Sequence, residues 1–302
     1  MTRHVIVGAG PVGNAVAREL LGRGEQVRVI TRRGTGIAGT EPIAADASDA
    51  TRLGELTAGA TAIYNCVNPP YHRWPQDWPP VANALLAAAE SSGAVLATTS
   101  NLYVYGIVDG PMTEATPMAA TGTKGRVRAQ MWRAALALHE TGHIRTFEAR
   151  GSDYLGGNSL LTTLISPALR KGRAAYVPAD LDAPHTWTNV RDVAALLVTG
   201  ALDERAWGRA WHVPSAPACS VRELTAMAAI QLGAKSKLHS VPRPVVWTAG
   251  MVSAQLRELR ETQHQFRRPF VLDSSAAQHT FGLKPVPLEQ SVALDLEVGA
   301  SS

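Results

Sequence analysis

Short apolar runs alternate with longer segments of helical periodicity through the first half of the chain. The apolar runs predict strands over Val5–Val7, Val27–Ile30, Ala62–Val67 and Val95–Thr99. The periodic segments predict helices over Val12–Leu21 and Val81–Glu90. Strands that alternate with helices favour a parallel sheet with helices on both faces, joined by right-handed crossovers. The pattern therefore predicts an α/β fold with a Rossmann-like, doubly wound parallel sheet.

The second half of the chain is less regular. Helical periodicity recurs over Leu160–Arg170 and Val221–Leu232, and prolines interrupt the sequence between and after them. We therefore expect a Rossmann domain over residues 1–150 and a smaller C-terminal substrate lobe over residues 151–302.

Composition narrows the class of protein. The chain has 302 residues, of which 45% are apolar and 18% are charged, so it is able to bury a sizeable core. No apolar stretch approaches the roughly 18 residues of a membrane span, and the N-terminal sequence lacks a signal-peptide pattern. Two cysteines form at most one disulfide, and the nine histidines are dispersed. We expect a cytoplasmic protein without a membrane or a metal ion.

The net charge of +4 raises the question of nucleic-acid binding. The 24 Arg and 5 Lys residues are spread in short groups, with no basic stripe interleaved with aromatic residues. A solvated basic surface, or attraction of an anionic small molecule, explains this charge better than nucleic acid does.

A glycine-rich loop follows the first predicted strand and opens the first predicted helix. Its sequence has the glycine spacing and the context of a dinucleotide-binding loop. Small residues let a pyrophosphate approach the backbone, and the helix N-terminus offers free N–H groups with a partial positive charge. The predicted cofactor contacts in this loop are Gly8, Gly10, Pro11, Val12 and Gly13.

The end of the second predicted strand discriminates between two cofactors. An acidic residue at this place binds the ribose hydroxyls of NAD, but the chain has Thr31 there. Arg32 and Arg33 follow, and their planar donors suit a 2′-phosphate. The sequence therefore predicts NADP(H) in preference to NAD(H). The alternative is that the two arginines only solvate a loop.

Five segments in order carry a resemblance to a known family. They are Ala45–Asp49, Thr98–Gly106, His185–Ala194, Trp211–Val213 and Ser220–Leu224. The chain resembles the extended short-chain dehydrogenase/reductases, the NAD-dependent epimerase/dehydratase family, over most of its length. The resemblance implies a nicotinamide cofactor, a homodimer as one assembly, and a return of residues 185–213 to the Rossmann core. The further cofactor contacts that it implies are Asp46, Ala47, Cys66, Val67, Asn68, Ser100 and Arg128.

The chain departs from this family at the catalytic positions. Family members have a Ser or Thr shortly before a Val-Tyr-Gly sequence, and a Tyr and a Lys four residues apart on the next helix. Here Asn101 stands at the Ser position, Lys124 at the Tyr position and Arg128 at the Lys position, with no YxxxK sequence downstream. A slipped alignment, which pairs Ala120 with Lys124, leaves no acid at all. This pattern resembles the atypical short-chain dehydrogenase/reductases.

Lys124 and Arg128 lie one helical turn apart and share a face of the predicted helix. A lysine in this position can protonate an alkoxide or an enolate, and Asn101 can donate a hydrogen bond to the substrate oxygen. Arg128 is always charged, so it can only hold the ribose or a substrate anion. Tyr103 is the alternative proton donor. A third interpretation places both basic residues on a solvated face.

A proline-rich loop over residues 68–80 follows the fourth predicted strand. The carboxyl edge of a doubly wound sheet faces the ligand crevice, so aromatic residues on this loop favour a rim over the substrate. His72 and Trp74 are the candidates, and a self-packed surface loop is the alternative. The family resemblance adds pocket walls at Asp153, Tyr154, His185 and Trp187.

These observations favour an NADP(H)-dependent oxidoreductase that reduces a small carbonyl, enone or imine metabolite. Because the usual tyrosine is missing, a non-redox isomerase, cyclase or lyase on the same fold is a second hypothesis. A non-catalytic NADP(H)-binding regulator is the third.

Overall fold

A computed structural model describes residues 3–252 and 260–300. Seven strands form one parallel sheet: β1 Arg3–Val7, β2 Gln26–Thr31, β3 Glu41–Ala44, β4 Ala62–Asn65, β5 Val95–Asn101, β6 Arg145–Gly151 and β10 Ala210–His212. Their order across the sheet is β10-β6-β5-β4-β1-β2-β3, which confirms the predicted α/β doubly wound fold. Two smaller parallel pairs join β7 Asp153–Leu155 to β9 Trp187–Asn189, and β8 Ala175–Val177 to β11 Leu238–Ser240.

Helices cover both faces of the large sheet. The helices described are α1 Pro11–Gly22, α2 Ala50–Thr57, α3 Trp74–Ser92, α4 Thr123–Glu140, α5 Ser166–Arg170, α6 Val190–Ala201, α7 Val221–Gln231, α8 Arg243–Val252, α9 Ser275–Phe281 and α10 Leu288–Ala300. On one face of the sheet α1 packs against α6. On the other face α2 packs against α3, and α3 packs against α4.

The side-chain alternation of β1 shows why both faces are covered. Ile6 points into the core shared with α1 and α6, whereas Val5 and Val7 point into the core shared with α2, α3 and α4. All three side chains are buried, as expected of a strand in the interior of a parallel sheet. Because the strands of the large sheet are parallel, their carboxyl ends lie at one edge. The loops that follow them can form a common site there.

The chain returns to the large sheet late in its sequence. α6 packs on α1, and β10 pairs with β6 at the sheet edge. The smaller pairs of strands, with α5, α7 and α10, surround a third core that contains Leu155, Leu224 and Leu296.

Helix α3 begins well before the predicted start at Val81. Trp74 and Trp78 lie one turn apart in it and are fully buried, so their burial stabilises a helix where the prolines indicated a loop. Pro75 is tolerated because the first turn needs no backbone N–H donor. The prediction of Trp74 as a rim residue is therefore wrong: its ring lies in the core beneath the sheet edge.

The segment predicted as one helix over Leu160–Arg170 also differs. It begins as a wide π-helical turn over Leu161–Ile165 and continues as the short α5.

Asp192 lies on α6, and its carboxylate accepts the backbone N–H of Val286 at 3.0 and 3.1 Å.

Burial raises the pKa of Asp192 to about 7. The folded state therefore binds more protons than the unfolded state between about pH 4 and 7, and the free energy of unfolding falls as the pH rises through this window. Asp192→Asn keeps an accepting oxygen but cannot ionise. We expect its stability relative to the wild type to be about 2–3 kcal/mol more favourable at pH 8 than at pH 5. Urea denaturation at both pH values measures this difference, and an equal effect at both contradicts it.

Candidate active site

Two glycines of the loop between β1 and α1 lie in contacts that leave no room for a side chain. A Cβ atom on Gly13 would lie 1.9 Å from the Gly8 carbonyl oxygen, and one on Gly8 would lie 2.6 Å from the Cys66 carbonyl oxygen. Gly8 also has a φ of +103°, which disfavours any other residue. Gly10, at the N-cap of α1, faces open space instead. The loop thus fits a pyrophosphate, which would meet the bare backbone and the N–H groups of the helix.

The turn after β2 presents two cations to solvent. The Thr31 hydroxyl accepts the backbone N–H of Thr35 at 2.8 Å, which closes the turn. Arg32 and Arg33 are exposed and make no hydrogen bond to another residue of the described ranges. Their guanidinium groups are thus available to an anion, as a 2′-phosphate site requires.

Asp46 lies near this turn, after β3. Its carboxylate accepts the backbone N–H and the hydroxyl of Ser48 at 2.9 and 2.8 Å. These hydrogen bonds, with a smaller effect of Arg32, lower the pKa of Asp46. It is therefore ionised at neutral pH and exposed beside Ala47, where the resemblance places the adenine.

The loops after β4 and β5 place the other candidate cofactor contacts. Cys66 is buried beneath the glycine loop, and burial raises the pKa of its thiol to about 12. Val67 is half-buried and Asn68 is exposed. The buried Ser100 hydroxyl has no hydrogen-bond partner within residues 3–252 and 260–300, so it is a donor that a bound molecule can use.

Lys124 is buried in the first turn of α4, with a side chain that is 2% exposed. Its backbone N–H donates to the Glu261 Oε1 atom at 2.6 Å, and its Nζ atom donates to Oε2 at 3.4 Å. Glu261 therefore caps the helix, whose N-cap residue Gly122 has no side chain to do so, and also pairs with the ammonium. This contact joins residues 137 positions apart in the sequence.

Two phenols adjoin Lys124. The Tyr71 and Tyr103 hydroxyls lie 3.0 Å apart, and Lys124 Nζ lies 5.6 Å from the centre of the Tyr71 ring. Burial, and then the neighbouring Tyr71, raise the pKa of Tyr103 well above its usual value, so it keeps its proton and is a weak acid. The Asn101 side-chain oxygen accepts the Tyr103 N–H at 3.2 Å, which leaves its NH₂ group as the remaining donor.

Arg128 lies behind Lys124 rather than beside it in the cleft. Its guanidinium is 4.8 Å from the ring centre of Trp74 and 4.4 Å from that of Trp78. Nη1 donates to the Thr99 carbonyl at 3.4 Å, and Nε has no partner among the described residues. The tryptophan rings therefore hold a buried cation beneath the site, with one donor still unused.

The predicted pocket walls divide into core and cleft residues. Trp187 is buried and donates to the Cys219 carbonyl, so it is part of the core of the smaller lobe and the prediction of a pocket wall is wrong. His185 is also buried, behind Asp153. The Tyr154 hydroxyl donates to the Ser100 carbonyl near the end of β5. The Asp153 side chain is 28% exposed, so Asp153 stays a candidate pocket wall.

His72 is exposed in the short helical turn over Tyr71–Arg73 that precedes α3. It thus stays a candidate for the rim, together with Tyr71, another aromatic residue of the same predicted loop. Glu261 escaped prediction, because nothing near it in the sequence points to a partner so far along the chain.

A cavity of about 1020 Å³ opens on the other side of the glycine loop, between α1, α6 and α10. Gly10 and Pro11 lie at one end of it, and Arg18 and Arg191 line its walls. The buried Asn189 also lines it, and its NH₂ group has no partner in the described ranges. The cavity adjoins the cofactor loop but not Lys124.

The expectation of no metal site overlooked a His-Glu-x-x-His sequence at residues 139–143. α4 ends at Glu140, so the two histidines do not share a helix face. His139 contacts the Ile144 carbonyl, whereas His143 pairs with Glu90. Within residues 3–252 and 260–300, no group of three His, Cys, Asp or Glu side chains is placed to hold a metal ion. In the same ranges, no helix has the length and apolar character that crossing a membrane requires.

Solved structures share this fold over the full chain at low sequence identity. UDP-glucose 4-epimerase from Thermotoga maritima, with UDP-glucose, has a TM-score of 0.81 at 12% identity and 99% coverage of both chains. UDP-glucose 4-epimerase from Thermus thermophilus, in complex with NAD, has a TM-score of 0.79 at 16% identity and 100% coverage of both chains. The dTDP-glucose 4,6-dehydratase from Bacillus anthracis, in complex with NAD, has a TM-score of 0.80 at 15% identity, with 100% of this chain and 97% of that chain covered.

No curated protein shows significant sequence similarity to the chain. The family model of the NAD dependent epimerase/dehydratase family matches residues 4–210, which span the glycine loop, the six strands of the large sheet that precede β10, and α4 with Lys124. The chain therefore belongs to the NAD-dependent epimerase/dehydratase family.

Proposed function

We propose that this protein is an NADP(H)-dependent oxidoreductase that reduces a small carbonyl, enone or imine metabolite. The observation that carries the proposal is the buried Lys124 ammonium, which pairs with Glu261 and lies beside Tyr71. A cation fixed at this place is suited to an oxygen that becomes negative during hydride transfer.

The residues that would hold the cofactor follow from the geometry of the loops. The N–H groups beside Gly10 would meet the pyrophosphate, Arg32 and Arg33 the 2′-phosphate, and Asp46 the adenine. The Ser100 hydroxyl and Arg128 Nε, which have no partner among the described residues, would be the donors for the nicotinamide end. Bound in this cradle, NADPH supplies a hydride to the substrate.

The chain's own groups serve the substrate oxygen. Lys124 donates a hydrogen bond to it, stabilises its developing charge and gives it a proton. Glu261 holds the ammonium in place, and the Asn101 NH₂ group is a second donor. Tyr103, with its raised pKa, contributes as a neutral hydrogen-bond donor rather than as the acid.

Arg32 and Arg33 are the residues at which the preference for NADP(H) can be tested. Replacing Arg32 and Arg33 together by Ala removes two charge-assisted contacts to the 2′-phosphate, so we expect NADPH affinity to fall roughly 10- to 100-fold and NADH affinity to stay unchanged. Fluorescence titration with both cofactors measures the two affinities. Arg133→Ala, which removes an exposed cation on α4, is the control. Tighter binding of NADH than NADPH by the wild-type protein would refute the preference.

The reaction itself is tested by incubation with NADPH and a panel of ketones, enones and imines, with NADPH absorbance as the readout. Consumption with a member of the panel supports the proposal. Tight NADPH binding without consumption by any of them contradicts it and favours the regulator.

A non-redox isomerase, cyclase or lyase is the second candidate, favoured by the raised pKa of Tyr103 and the absence of YxxxK. Product formed with no net change in NADPH would separate it from the reductase.

A further inference from the structure

The cavity between α1, α6 and α10 is separate from the candidate catalytic residues. Its volume of about 1020 Å³ is at the upper end of the range for small-molecule sites. Of the candidate cofactor residues, those on its described walls are Gly10 and Pro11, whereas Arg32 and Lys124 are not among the described lining residues. A molecule bound in this cavity would therefore meet the glycine loop but not the residues proposed for the reaction.

Two helices begin at this cavity. Pro11 is the first residue of α1 and Val190 is the first residue of α6, and both line the cavity. Each helix has 12 residues, and the two helices pack against each other. The first turn of a helix has N–H groups without an intrahelical partner and a partial positive charge. The positive ends of two helix dipoles therefore meet at one cavity, which favours an anion there.

Asn189 supplies an unused hydrogen-bond donor at the same place. It is the N-cap residue of α6, and it is 2% exposed. Its side-chain oxygen accepts the backbone N–H of Arg191 at 2.8 Å, which leaves the NH₂ group as the other end of the amide. This NH₂ group has no hydrogen-bond partner within residues 3–252 and 260–300, although Asn189 lines the cavity. A ligand that accepts from it would satisfy an otherwise unfavourable buried donor.

Arginines add positive charge to the walls. Arg18 of α1 and Arg191 of α6 are exposed, and neither makes a hydrogen bond or an ion pair with another residue of the described ranges. Arg23, in contrast, is paired with Glu19 at 2.8 Å, and Glu297 of α10 is the remaining acid on the described walls. Three arginines and two glutamates give this lining a net charge of +1. Two guanidinium groups are therefore available to an anionic ligand.

The rest of the cavity is apolar and held in place. The apolar side chains come one from each helix: Ala15, Ala194 and Leu294. Gly156 also lines the cavity, and its N–H and that of Gly157 donate to the buried Asp295 carboxylate of α10 at 2.5 and 2.9 Å. The loop that joins the cavity to α10 is thus fixed by hydrogen bonds before a ligand binds, which lowers the cost of binding.

We propose that this cavity is a second ligand site, and that it takes a phosphate monoester with an apolar group. The phosphate lies at the two helix N-termini, accepts from the Asn189 NH₂ group and pairs with Arg18 and Arg191. The apolar group lies against the side chains that the three helices contribute. This site goes beyond the proposed function and does not depend on it, since the groups proposed to act on the substrate are not part of the cavity.

Isothermal titration calorimetry with phenyl phosphate tests this proposal. We expect Asn189→Asp to weaken binding by about tenfold or more, because Asp keeps the N-cap oxygen of α6 but replaces the NH₂ donor by a carboxylate oxygen. Asn189→Ser also keeps a capping oxygen and adds no charge, so a loss of about tenfold in this variant separates the missing donor from charge repulsion. Arg191→Gln is expected to lose about tenfold as well, and Arg133→Gln, at an exposed position on α4, is its control.

The competing location for phenyl phosphate is the cofactor cleft. Replacement of Arg32 and Arg33 together by Ala should therefore leave the affinity for phenyl phosphate unchanged, and NADP⁺ should not displace it. Loss of binding in this double variant, or displacement by NADP⁺, would place the phosphate at the cofactor loop and overturn the proposal. No binding by the wild type, or equal binding by the wild type and both Asn189 variants, would also overturn it. Inorganic phosphate that binds as tightly as phenyl phosphate would contradict the apolar part of the site.

Discussion

Gly13→Ala is expected to unfold the junction between β1 and α1. Gly10→Ala, in contrast, is expected to fold normally and to bind NADPH more weakly. A Cβ on Gly13 would lie 1.9 Å from the Gly8 carbonyl oxygen, which belongs to the backbone and cannot move away cheaply. We expect the free energy of unfolding to fall by about 3 kcal/mol or more. Nothing lies within 4 Å of a Cβ on Gly10, and its φ of −74° is open to alanine.

The methyl group of Gly10→Ala would instead enter the space that the pyrophosphate needs. We expect NADPH affinity to fall about tenfold or more while the unfolding free energy changes by less than about 1 kcal/mol. Gly22→Ala, also with open space around its Cβ, is the matched control on α1. Urea denaturation and NADPH titration measure the two effects. Loss of stability in Gly10→Ala, or normal NADPH binding by Gly13→Ala, would show that the loop is built differently.

Lys124→Met is expected to remove nearly all turnover and leave NADPH binding within about threefold of the wild type. Met matches the length of the side chain but cannot donate to an oxygen or give a proton, so we expect kcat to fall about 100- to 1000-fold. Glu261→Gln keeps an oxygen for the α4 N-terminus and removes the charge beside Lys124, so a smaller loss of about tenfold is expected.

Arg126→Met is the control for Lys124→Met, because Arg126 is exposed on the same turn of α4. Thermal unfolding must show that the Lys124 variant is folded, since its Glu261 carboxylate is left without the ammonium. Steady-state kinetics with the best substrate of the panel then gives kcat. Equal rates for Lys124→Met and Arg126→Met would remove Lys124 from the mechanism and leave a non-redox reaction or a regulator.

The local parts of this protein could be predicted from the sequence because their signals are local. Val5–Val7 followed by the glycine spacing predicts a strand, a tight loop and a helix, and the structure contains β1, the loop and α1 in that order. Each of these features depends on residues within about fifteen positions of one another. The alignment of Lys124 with the family's tyrosine, made from its distance to Val104–Gly106, stays a prediction.

The surroundings of those residues were decided by tertiary structure. Trp74 lay in a proline-rich stretch that indicated a loop, but burial under α4 makes it part of a helix and a support for Arg128. Glu261 meets Lys124 and Gln265 meets His185 only because the chain folds back across the site from the C-terminal lobe. No periodicity or spacing in the sequence predicts such long-range pairings. Sequence by itself thus determined the fold class and the strand, glycine loop and helix at its start, whereas burial and long-range contact decided which side chains lie in the core and which distant residues they meet.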